Sequence, residues 1–190
     1  FEHSEIALAR YETTGTLDGA FGSGGVVITS IGWSDFVADL ALQADGKIVV
    51  AGQSDNLDFL VLRYAADGSL DPSFGNSGYV ETPISGVDGA NAVEIQPDGR
   101  ILLAGGTNNM SDTAVVRFLP DGSLDATFDG DGILLTPEAN RAHGVAVQSD
   151  GRIVVVDGDF AIRRYHADGT SDGVLASIPS GAGYAVAIDQ

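Results

Sequence analysis

The chain has 190 residues, 26 of them Gly, and its 9 Lys+Arg against 27 Asp+Glu leave a formal charge of −18. That balance argues against a phosphate track for nucleic acid or an anionic membrane surface as partner, because either needs clustered Lys and Arg. At 44% hydrophobic the chain is too apolar for disorder; it has no apolar run long enough to span a membrane, and without Cys it has no disulfide, thiolate metal site or thiol nucleophile.

The chain opens on Phe1 without a basic-then-apolar leader, which suggests processing or a cut inside a longer chain. Residues 6–11 read as a short strand ending in Arg10-Tyr11, followed by Leu17-Asp18 and by Phe21, three residues after the Asp. Next comes Gln43-Ala-Asp-Gly-Lys47 with the apolar run Ile48-Val-Val-Ala51. The same markers then return in order. The Arg-aromatic step recurs at Arg63-Tyr64, Arg117-Phe118 and Arg164-Tyr165. Leu-Asp recurs at Leu70-Asp71 and Leu124-Asp125, with Phe74 and Phe128 in place, and the fourth copy keeps only Asp172. Gln96-Pro-Asp-Gly-Arg100 and Gln148-Ser-Asp-Gly-Arg152 follow the first such hairpin at steps of 53 and 52 residues. Gly52 to Arg63 is 11 residues and Gly105 to Arg117 is 12, but Asp157 to Arg164 is 7, so one connecting loop is shortened.

Within a unit, residues 91–96 alternate as a half-buried strand and Asp98-Gly99 turns the chain, as a type I′ hairpin or a close relative requires. Residues 100–105 and 114–118 form the second and third strands, Asp121-Gly122 turns again, and the fourth strand lies near 132–136. No stretch of ten residues keeps a helical period. Four short strands per unit of about 53 residues, in tandem, predict an all-β fold: a β-propeller of four-stranded antiparallel blades. The single array divides into a partial blade (1–33), units 34–86, 87–139 and 140–180, and the start of another unit at 181–190. That makes two strands, then twelve, then a fifteenth at 185–190. An incomplete ring or a segment of a larger propeller is expected, or self-association that completes the ring, because a bare four-bladed ring lacking one interior strand leaves unpaired edges.

The string Phe59-Leu-Val-Leu-Arg-Tyr-Ala-Ala-Asp-Gly-Ser-Leu-Asp-Pro-Ser-Phe-Gly75, with Gln96-Pro-Asp-Gly-Arg-Ile-Leu-Leu-Ala-Gly105, resembles the bacterial delta-60 repeat. The resemblance implies a β-propeller architecture and a secreted or cell-surface setting, without a general activity.

Residues present in every unit are expected to serve the blade, so the four Arg of the Arg-aromatic step should pair with Asp18, Asp71, Asp125 and Asp172. Twelve of the 21 Asp directly precede Gly, so much of the acidity is turn chemistry. Positions that differ between units carry more functional information. Ala38, Asn91, His143 and Tyr184 are equivalent residues at the starts of the first strands, and Trp33, the only Trp, lies just upstream near Asp35. A ring face beside Asp and Asn suits a sugar or protein surface, so Trp33, Asp35, Asp88, Asn91, His143 and Tyr184 are the candidate ligand-binding residues. Asp129-Gly-Asp-Gly132 resembles the start of a calcium loop but has Asn140 at the twelfth position; Asp129 and Asp131 are the candidate metal ligands, and no other cofactor is implied. His3, His143 and His166 have no metal-ligand spacing, and no nucleophile elbow, P-loop or dinucleotide fingerprint is present. The expected function is a non-catalytic binding or scaffolding propeller, extracellular or on the cell surface, engaging glycan or protein through loops at one end of its blades. The competing reading is a polysaccharide hydrolase or lyase at the channel mouth, with His143 and Asp88 or Asp35 as acid and base. A purely structural spacer is the third.

Overall fold

The computed structural model describes residues 4–158, 161–177 and 185–188. These form one two-stranded and three four-stranded antiparallel sheets. The first sheet pairs β1 (Ile6–Ala9) with β2 (Val26–Thr29). The second is β3 (Phe36–Leu42), β4 (Ile48–Gln53), β5 (Phe59–Tyr64) and β6 (Tyr79–Thr82). The third is β7 (Gly89–Ile95), β8 (Ile101–Thr107), β9 (Asp112–Phe118) and β10 (Ile133–Thr136). The fourth is β11 (Ala142–Val147), β12 (Ile153–Asp157), β13 (Ala161–Tyr165) and β14 (Ser171–Ser177). First strands β3, β7 and β11 pack on one another where the sheets converge, and among the described residues the array does not close into a ring.

The core lies in the seams between sheets. Leu103 and Val116 enter the seam between the second and third sheets, while their neighbours Leu102 and Val115 enter the seam between the third and fourth. A strand covered on both faces has no solvent side, so its sequence runs apolar instead of alternating. This explains Ile101-Leu-Leu-Ala104, in a strand buried throughout. The first sheet supplies Ile6 and Phe21 to a third cluster with Ile48, Val50, Leu60 and Leu62.

The Asp-Gly hairpins are not type I′ turns but a related hairpin class. Gly46, Gly99 and Gly151 have φ of 84°, 85° and 83°, while the Asp before each stays at negative φ. Gln96 O accepts from Gly99 N at 2.9 Å, and Gln96 N donates to Arg100 O at 2.8 Å. That is a three-residue loop, a type I turn followed by a left-handed Gly. The Asp98 carboxylate caps it by accepting from Arg100 N.

Each first strand carries a β-bulge, at Ala38, Asn91 and His143, because the partner register skips these residues. The bulge presses its backbone against the second strand. A Cβ on Gly105 would lie 2.0 Å from Gly89 O, and one on Gly52 would lie 1.9 Å from Phe36 O. Gly105→Ala is therefore expected to cost at least about 1–3 kcal/mol, through displacement of the bulge. Urea unfolding checks this; an Ala variant as stable as the parent would show that the bulge yields freely. The fourth unit has Asp157 here, its carboxylate turned to Ala161 N at 2.9 Å and Arg163 Nε at 2.8 Å across the shortened loop.

The expected fifteenth strand does not form over residues 185–188, although Ala185 and Val186 lie against Gly144 of β11. A first strand in this fold takes its ladder bonds from a second strand, and none accompanies it among the described residues. Tyr184, His3 and residues 189–190 lie outside the described residues.

Candidate functional site

Two ends of the blades hold the polar residues, and they do different work. At the hairpin end the repeated motifs converge. Arg63 Nε lies 2.9 Å from Asp71 Oδ2, and the guanidinium carbon lies 4.5 Å from the Phe74 ring centre. Arg63 Nη1 also donates to Pro120 O in the next unit. Arg10 and Arg117 repeat the arrangement, with Asp18 and Phe21 and with Asp125 and Phe128, and reach Ala66 O and Ala167 O. Arg164 keeps Asp172 at 2.7 Å, but Leu175 stands where the Phe would be. The expected ion pair in each unit is therefore present.

A second cation joins three of these pairs. Lys47 Nζ lies 3.4 Å from Asp71, Arg100 Nε 2.8 Å from Asp125 and Arg152 Nε 3.0 Å from Asp172. Sequence reading missed this role, although a Lys or Arg follows the Asp-Gly of each of the three Gln-led hairpins. The carboxylates respond. The Ser73 hydroxyl, against burial and with help from Arg63, holds Asp71 well below the usual carboxylate range. Burial pushes Asp125 up, but the Thr127 hydroxyl and N–H and the Arg117 guanidinium outweigh it and hold Asp125 at about 2.

The calcium-like stretch belongs to the same cement. Gly22, Gly75 and Asp129 are equivalent, with φ of 55°, 50° and 49°. Their N–H groups donate to Asp67 O, Asp121 O and Asp168 O of the following units. The Asp131 carboxylate accepts from Ile133 N at 2.9 Å. Among the described residues no three His, Asp or Glu side chains are arranged to hold a metal ion together.

At the opposite end lie the bulges and the loops between units. Asp35 and Asp88 are buried there. Asp88 Oδ2 accepts from Ile84 N at 2.7 Å and Ser85 N at 2.8 Å, and its Oδ1 from the Thr107 hydroxyl. Asp35 likewise accepts from Gly32 N and Asp55 N. Both carboxylates are occupied in shaping the loops before β3 and β7, the position held by Asn140 before β11. Asn91 projects forward and donates from Nδ2 to Ala142 O of β11 at 2.7 Å. Asp39, which the sequence did not single out, does the same from β3, accepting from Val93 N at 2.9 Å. His143 is half-buried; burial and neighbouring Arg141 push its imidazole below the ordinary value, against Asp157. Glu94 is pushed up by burial and by the Asp39 charge.

Trp33 is placed differently from the others. Its loop is held by Trp33 N to Asp55 Oδ2 at 2.9 Å and by Ser4 N to Trp33 O at 3.2 Å, while the residue is 68% exposed. The equivalent residues in the next two units are Gly86 and Glu138.

Over residues 43–74, 96–128 and 148–173 the chain matches a family model described as a domain of unknown function (DUF5122) beta-propeller. These are β-propeller repeats. Each matched propeller segment begins at the Gln of a hairpin and takes in the second strand, the third strand and the Arg–Asp network. Trp33, Asp35, Asp88, Asn91 and His143 all fall outside the matched segments. No curated protein matches the chain. The propeller match thus covers the cement between blades, and the loop end lies outside it.

Proposed function

We propose that this propeller is a non-catalytic binding or scaffolding module that takes a glycan or protein ligand at its loop end, with Trp33 as the anchor. The observation that carries this is Trp33, a residue 68% exposed on a loop whose backbone is tied by Asp35 and Asp55. A large ring held on an ordered loop is a contact surface with little ordering cost on binding, and sugar C–H faces and partner side chains both stack on it. Asp35 and Asp88 support this surface as loop-shaping groups, their oxygens taken by N–H and hydroxyl donors. The acidic, Lys-poor, Cys-free composition suits an extracellular or surface-bound location.

As the only Trp, Trp33 reports on its own contacts. Titration with a panel of oligosaccharides and cell-surface proteins should shift its fluorescence saturably for one class. Trp33→Ala should then weaken binding by about tenfold or more at unchanged folding stability. A ligand that binds Trp33→Ala as tightly as the parent would sink the proposal.

A further inference from the structure

The fourth sheet breaks the repeat at two positions that meet each other. Asp157 stands where the second and third sheets have Gly52 and Gly105, opposite the first residue of the bulge. Arg163 stands where they have Leu62 and Val116, one residue before the Arg-aromatic step. An acid placed at a buried position needs a cation, and Arg163 Nε donates to Asp157 Oδ2 at 2.8 Å. Asp157 Oδ1 accepts from Ala161 N at 2.9 Å, so the carboxylate is held from two sides. A fixed and fully buried carboxylate fixes the guanidinium in turn.

That bond uses Nε and leaves both Nη nitrogens. Among the described residues neither Nη of Arg163 meets an acceptor, whereas Arg10, Arg63 and Arg117 each give Nη1 to a carbonyl of the next unit. Arg163 instead lines a cavity of about 200 Å³ in the seam between the third and fourth sheets. Leu134 and Pro137 line it from the third sheet's side, and Val174 from β14. Thr136 and Tyr165 line it too, their hydroxyl oxygens 2.8 Å apart. In such a pair one hydroxyl donates to the other, which leaves the second proton for a further acceptor. Tyr64 and Thr29 make the same pair at 2.9 Å, but Leu62 packs there in place of a guanidinium. The hydroxyl pair is thus shared between units, and the guanidinium belongs to the fourth.

We propose that this seam binds a small monocarboxylic acid as its anion. The Nη edge of Arg163 takes the carboxylate, the Tyr165 hydroxyl adds a donor, and Leu134, Pro137 and Val174 cover a short apolar tail. Two N–H groups in one plane match the two carboxylate oxygens, and Asp157 keeps that plane in place before the ligand arrives. The cavity is smaller than the roughly 300–1,000 Å³ of drug-sized sites, which limits the ligand to a few carbon atoms. The site is separate from the Trp33 loop and does not depend on a ligand there.

Calorimetric titration of the full chain with sodium butyrate tests this, with butyramide as the uncharged counterpart and ¹⁵N-detected Arg Nε–H signals to locate the ligand. One butyrate per chain is expected, with a shift of the Arg163 signal and no saturable binding of butyramide. Arg163→Lys keeps a cation for Asp157 but loses the paired donors, and should weaken butyrate at least about tenfold. Asp157→Gly combined with Arg163→Val installs the third sheet's own residues, so that chain should fold and no longer take butyrate. Tyr165→Phe, again the third sheet's residue, should weaken binding about fivefold. Butyrate bound by the double variant as tightly as by the parent overturns the proposal. So does butyramide that binds as well as butyrate, or a parent chain that shows no saturable butyrate binding.

Discussion

Arg117→Ala is expected to lower folding stability by about 3–5 kcal/mol, and Arg10→Ala by less than about 1 kcal/mol. The two residues occupy the same place in successive units, so the contrast isolates burial. The Arg117 side chain is 5% exposed and its partner Asp125 is 2% exposed. Truncation removes the Phe128 stack and the bond to Ala167 O, and leaves a buried carboxylate with Arg100 alone. The Arg10 side chain is 36% exposed, so water compensates most of what it loses. Arg117→Lys should fall between, because an ammonium keeps the charge but neither stacks flat on the ring nor reaches two acceptors in one plane. Urea midpoints at constant slope give the comparison. Equal losses at Arg10 and Arg117 would refute the burial argument.

Acid should unfold the propeller through the same network. Asp125 is held at about 2 in the folded chain against an ordinary 3.8, so its carboxylate stabilises the fold at neutral pH. A depressed pKa contributes fully above the unfolded value and loses that contribution as pH falls towards the folded one. Unfolding free energy should therefore drop between about pH 4 and pH 2, with about 2 kcal/mol of the loss belonging to Asp125. Asp71, lowered in the same direction, extends the decline to still lower pH. Asp125→Asn should be less stable at pH 7 and should have a shallower acid limb. A parent and variant with parallel pH profiles would place the acid sensitivity elsewhere.

The repeat made most of the architecture legible. Asp-Gly pairs at fixed steps marked the hairpins, apolar runs marked strands covered on both faces, and Arg with Asp at matched positions required an ion pair in each unit. Strand bounds in the third unit fall within two residues of the expectation at each end. The turn class stayed open between type I′ and a relative because Asp-Gly is compatible with more than one hairpin, and only the backbone angles separate them. The role of Lys47, Arg100 and Arg152 was legible in principle, since they recur as regularly as their partners. It went unread because a charge beside a turn ordinarily faces water.

The candidate site was less legible, and for a reason built into repeats. Asp35 and Asp88 read as candidate ligand-binding acids, and both cap a loop. Ala38, Asn91 and His143 stood out as variable, but that each is a bulge residue depends on cross-strand register, which is non-local. Asp39 and Glu94 came near each other only because two first strands pack side by side. Local chemistry, repeated in tandem, thus determined the blade: its strands, its turns and the ion pair that ties each unit to the next. Tertiary packing decided which equivalent residues are covered and which face solvent, because a side chain's surroundings depend on the neighbouring unit. Leu40 and Val93 occupy the same position in the repeat, and only the sheet in front of each makes one exposed and the other core.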